Sequence, residues 1–106
     1  MTGIRTLKQR RARYKGNVTR ISTFLDSDEP KTANEDQVRL AKLAELWDKF
    51  EAVQNDLVEA KPNADEAELA ALKAENEAEG QIFETGYYRA TAKLQEIIAE
   101  AAQEVA

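Results

Sequence analysis

The chain has no cysteine and no histidine. The first absence excludes disulfides, thiolate nucleophiles and cysteine-based metal sites. The second removes the usual general base and the commonest metal ligand. The carboxylates, lysines, tyrosines and hydroxyls that remain form no recognisable catalytic arrangement, so no enzyme activity, cofactor, metal or small-molecule substrate is expected. Glycine and proline are scarce: Gly3, Gly16, Gly80, Gly86, Pro30 and Pro62 are the only interruptions in 106 residues. No apolar run approaches the roughly 18 residues that a membrane span needs. The basic N-terminal stretch lacks the apolar core of a signal peptide. Thr2 rather than Gly3 follows Met1, which speaks against myristoylation. An intracellular, cytoplasmic protein is the expectation.

What is present is a helical alphabet of Ala, Glu, Leu, Lys, Gln and Arg. The length suits one domain with an adequate but not generous core. The charge is divided. Residues 1–25 hold Arg5, Lys8, Arg10, Arg11, Arg13, Lys15 and Arg20 and no acidic residue, a charge of +7. Residues 26–106 hold eight basic and twenty acidic residues, a charge of −12, which leaves the chain at −5.

Three helices are expected, packed as an antiparallel, coiled-coil-like all-α bundle with a long third helix. The first, about 3–26, has apolar positions at Ile4, Leu7, Tyr14, Val18, Ile21 and Leu25, a heptad seam with Arg11 in its one gap. The expected role for Arg11 is a packed stem with its head reaching water; a buried ion pair is the other. Gly16 should weaken this helix by roughly 1 kcal/mol. Residues 26–34 lack a period and contain Pro30, so they read as a loop. The spacing of Asp26, Asp28 and Glu29 fits no calcium loop. Thr32 and Glu35 form a capping box for the second helix.

The second helix, about 34–60, places Leu40, Leu43, Leu46, Trp47, Phe50, Val53 and Leu57 on one broad face, with Val38 at its flank. Trp47 and Phe50 should anchor a core. Asn63 with Glu66 is the capping signal for the third helix, about 64–104. That helix carries Leu69, Leu72, Asn76, Phe83, Tyr87, Ala90, Leu94, Ile97 and Ala101 on its seam. Asn76 either fixes register or is exposed. Gly80 permits a kink, although one continuous helix is the favoured reading. The third helix would be about 60 Å long against about 36 Å for each of the others. The overhang should be exposed, kinked or paired, and pairing predicts a homodimer or higher oligomer. The expected core and self-association residues are Leu43, Trp47, Phe50, Leu57, Phe83, Tyr87, Leu94 and Ile97. For Tyr87 and Tyr88, core and rim packing is the expected role.

The seven cations of the first helix, Arg5, Lys8, Arg10, Arg11, Arg13, Lys15 and Arg20, have two uses. They can pair internally with the acidic helices, which is the first expectation. They can also contact RNA phosphates or an anionic membrane. With Tyr14 as the only nearby aromatic, RNA contact would be electrostatic and tolerant of sequence.

Three steps along the chain carry a resemblance. Gly16, Val18, Thr19 and Arg20 lead into Phe24 and Leu25; Phe50, Glu51, Val53 and Gln54 follow; Phe83, Glu84, Tyr87 and Tyr88 close the series. The chain thereby resembles the amino-terminal Gag-like region of BEL/Pao-type retrotransposon polyproteins over nearly its whole length. It has no zinc-knuckle or aspartic-protease motif, so the resemblance covers one Gag subregion. What the resemblance implies is a structural role: self-association in particle assembly, with RNA or membrane engagement. An adaptor that binds a different protein in regulation or transport is the alternative from another class.

Overall fold

The computed structural model describes residues 3–60 and 65–105. It contains three helices: α1 Ile4–Leu25, α2 Ala33–Glu59 and α3 Glu66–Val105. Every pair packs together, and among the described residues there is no strand. The result is a rod of 60 × 23 × 22 Å. Its length is that of α3, since 40 helical residues at about 1.5 Å each span about 60 Å.

Local chemistry sets the ends. Thr32 adopts extended backbone and its hydroxyl accepts from Glu35 N at 3.2 Å, which is the hydroxyl half of the expected capping box; the Glu35 carboxylate instead lies 3.9 Å from Arg39 Nη1. Before it, Ser27 and Lys31 tie down the turn. The Ser27 hydroxyl donates to Phe24 O, and the Lys31 amine donates to Ser27 O and Glu29 O. The cap of α3 differs from expectation. Asn63 lies outside the described residues, and α3 begins at Glu66. Asp65 caps it instead: its Oδ1 accepts from Glu68 N at 2.8 Å and its carbonyl from Leu69 N. Both Asn and Asp cap well, and Asp65 is the one placed next to the first helical residue.

The helices run up, down and up, so α1 and α3 are parallel and α2 is antiparallel to both. The main core contains Val18, Leu25, Leu43, Leu46, Phe50, Phe83, Ala90 and Leu94. A second cluster of Leu7, Val53 and Leu57 closes the lower end. Burying a side chain of Leu or Phe size contributes about 1.5–3 kcal/mol. Phe50 stacks on Phe83 with centroids 4.0 Å apart. Between α1 and α3 the approach is close at Gly86, where an added Cβ would stand 3.2 Å from Val18 Cγ1.

α3 is continuous through Gly80, without a kink there. The overhang is shorter than the helix lengths imply. α1 lies beside α3 from Glu68 to Lys93, and Ile97 still packs against the main core. Only the last turns project, with Glu100, Ala102, Gln103 and Glu104 exposed. The seam that the length argument offered to a second copy is therefore covered by α1 and α2. Leu43, Phe50, Leu57, Phe83 and Leu94 are buried inside the monomer, and Trp47, Tyr87 and Ile97 pack against the core at partial burial.

Candidate polyanion-binding face

The seven cations of α1 divide by their angle around the helix. Lys8, Arg11 and Lys15 turn toward α3. Lys8 Nζ lies 3.2 Å from Glu75 Oε1, and Lys15 pairs with Glu79. Arg11 is only 4% exposed. Its head does not reach water, contrary to the expectation from its place in the seam. The reason is a set of three acceptors at its level. Arg11 Nη2 donates to Glu75 Oε1 at 2.6 Å. Arg11 Nη1 donates to Gln54 Oε1 at 3.0 Å and to Asn76 Oδ1 at 2.8 Å. A buried guanidinium is tolerated only with such partners.

Gln54 and Asn76 also grip each other's helix. Gln54 Nε2 donates to Asn76 O at 2.7 Å, and Asn76 Nδ2 donates to Gln54 O at 3.1 Å. One polar layer thus crosses all three helices. Asn76 is not simply exposed; it belongs to that layer. The hydrogen bond from Arg11 holds the Glu75 carboxyl below its ordinary value, against the opposing effect of partial burial and with help from Lys8. The sequence signal for the layer was present. Arg11 and Asn76 both interrupt apolar seams, and two such interruptions are best accommodated opposite each other. Gln54 gave no signal of its own.

The other four cations face away. Arg5, Arg10, Arg13 and Arg20 are exposed. Arg10, Arg13, Asn17 and Arg20 follow one ridge at steps of 3, 4 and 3, and Arg5 stands to one side of it nearer the start of the helix. Arg20 Nη1 donates to Asn17 Oδ1 at 2.9 Å. None of the four makes an ion pair among the described residues, and α1 carries no acidic residue. Tyr14 is half-buried and packs inward, so this face has no aromatic platform.

The other acidic and aromatic features lie elsewhere. Asp36, in the first turn of α2, is fully buried. Its Oδ1 accepts from Arg39 Nη1 at 2.9 Å, while its Oδ2 has no partner among the described residues. Arg39 lies over the Phe24 ring at 3.8 Å. A cleft of about 300 Å³ opens between α2 and α3. It is lined by Trp47, Phe50, Glu51, Gly80, Phe83 and Glu84 among others. Sequence reasoning placed its aromatic residues in the core and missed the opening. Among the described residues, no three acidic side chains come together to hold a metal ion, and no helix is long and apolar enough to cross a membrane.

Compared with known proteins, the chain matches no family model, no curated protein and no solved structure.

Proposed function

We propose that this chain is a non-enzymatic, Gag-like structural module, a helical rod that works by association and contacts RNA through the outward face of α1. The observation that carries the reading is the division of the cations. The acidic and amide groups facing α1 occupy Lys8, Arg11 and Lys15, and leave Arg5, Arg10, Arg13 and Arg20 as a ridge without a counter-charge. Arginine suits phosphate because its planar fork donates two parallel hydrogen bonds.

RNA is favoured over an anionic membrane by what the ridge lacks. The large apolar side chains exposed among the described residues are Val38, Ile82 and Tyr88, and none is on α1. A helix that lies on lipid inserts an apolar face beside its cations. Here the neighbours of the arginines are Thr6, Gln9, Asn17 and Thr19. Without an aromatic platform, the contact is to the backbone and independent of sequence.

The test is fluorescence anisotropy with a labelled single-stranded RNA at low salt. Replacing Arg5, Arg10, Arg13 and Arg20 by Gln should abolish binding, while Lys8→Gln with Lys15→Gln should leave most of it. Wild-type protein that binds no RNA at low salt, or binds anionic vesicles instead, would sink the reading.

A further inference from the structure

We propose that the cleft between α2 and α3 is the docking site for the α1 arginine face of a second copy of this chain. The proposal rests on the outward arginine face assigned above and names a second partner for it.

The cleft has the chemistry of a guanidinium site. Glu51 and Glu84 are exposed carboxylates in its lining, which contains no basic residue. Trp47, partly buried, provides the aromatic surface, backed by the buried Phe83 whose ring centroid lies 6.0 Å away. The Tyr88 ring, whose residue is 58% exposed, lies 5.8 Å from that of Trp47. Carboxylates beside aromatic faces attract an arginine by charge pairing and by cation–π contact together.

Gly80 is a separate observation in the same place. A glycine inside a helix costs about 1 kcal/mol relative to alanine. Here nothing in the fold requires one. The backbone has no positive φ at any described residue, and a Cβ at position 80 would stand 3.7 Å from Gln54 Nε2, an ordinary contact. Gly86 differs, because there a Cβ would press on Val18. What the missing side chain at Gly80 does is keep the cleft open.

Charge complementarity selects the occupant. The cleft is acidic, and α1 is the one helix of this chain with no acidic residue. In a three-helix rod, the outward face of α1 lies opposite the α2–α3 cleft. A copy docked in the cleft therefore leaves its own cleft free for the next. Such a head-to-tail contact does not close on itself and builds a side-by-side array rather than a two-fold dimer.

Trp47 is the only tryptophan, so its emission reports occupancy of the cleft directly. The experiment is sedimentation velocity and tryptophan emission on the full chain over a range of concentrations. The wild type should associate progressively, with a parallel change in Trp47 emission. Gly80→Gln fills the cleft and should weaken association about tenfold or more while raising thermal stability. Glu51→Lys with Glu84→Lys, and separately Arg13→Glu with Arg20→Glu, should each be monomeric. Mixing the two charge-reversed proteins should restore association. A wild type that stays monomeric at every concentration, or association that survives Gly80→Gln and both reversals, overturns the proposal. RNA binding by the Glu51→Lys, Glu84→Lys protein is measured separately. Its absence alongside restored association in the mixture would refute the RNA reading and leave this one standing.

Discussion

The division of the α1 cations makes a quantitative prediction for salt dependence. Binding to a single strand weakens with salt at a logarithmic slope of about −0.7 for each cation engaged. Four outward arginines give a slope of about −2.8, so raising salt fourfold, from about 50 to 200 mM, should lower affinity about fifty-fold. If all seven cations were available, the slope would be about −4.9 and the loss roughly nine-hundred-fold. The two cases differ by more than tenfold, well within the resolution of an anisotropy titration. The Lys8→Gln, Lys15→Gln protein should keep the shallow slope, because those lysines already answer Glu75 and Glu79. Each outward Arg→Gln should flatten the slope by about 0.7. A wild-type slope near −5, or a lysine variant that flattens it as much as an arginine variant does, would refute the assignment of the face.

Four further outcomes concern the fold. Arg11→Ala leaves Gln54 Oε1 and Asn76 Oδ1 without their donor and should cost about 1–3 kcal/mol in chemical denaturation. Replacing Arg11, Gln54 and Asn76 together by Leu should be far less harmful than that, yet yield broadened amide spectra from mixed helix registers. Gly16→Ala, with nothing within 4 Å of the new Cβ, should stabilise the protein by about 1 kcal/mol, whereas Gly86→Ala, tight against Val18, should lower the melting temperature. The contribution of Glu75 should be present at neutral pH and lost as pH falls below its ordinary value of 4.5, since its folded value is depressed; acid unfolding of Arg11→Ala should show less of that component, with the part owed to Lys8 remaining.

Much of this architecture was legible in the residues. The heptad steps in all three segments predict the helices, and Pro30 and Thr32 predict the first turn and its cap. The observed helices, 4–25, 33–59 and 66–105, follow the expected ones closely. The errors have physical causes. Helix lengths alone suggested a large free overhang on α3, but they say nothing of stagger, and the stagger carries the packed region to Ile97. The fate of Arg11 could not be read from α1 by itself. A guanidinium in a seam is exposed or buried according to what stands opposite, and those groups lie 43 to 65 residues away. The cleft was hidden for a related reason. Trp47, Phe50 and Phe83 look like core residues in any one-dimensional reading, and the space beside them is bounded by Gln54 and Gly80, which come together only across two helices.

The polar layer explains why this register exists and, through it, why the arginine face is free. Most of the apolar seam between α1 and α3 would tolerate a slip of one heptad, although Val18 would leave Gly86 for Glu79 or Lys93. Arg11 would not. A slip in one direction sets its guanidinium beside Phe83, with Ile82 in place of Glu75; in the other it meets Leu69 in place of Asn76, keeping one carboxylate, Glu68, but losing the Asn76 amide. A buried unpaired charge costs more than any single apolar contact returns. Asn76 and Gln54 therefore select the one alignment in which Lys8 meets Glu75 and Lys15 meets Glu79. That alignment also fixes the rotation of α1 about its own axis. With positions 8, 11 and 15 turned to α3, positions 10, 13 and 20 can only point outward. The exposed ridge is thus the geometric complement of the buried layer, set by the residues that hold the bundle in register.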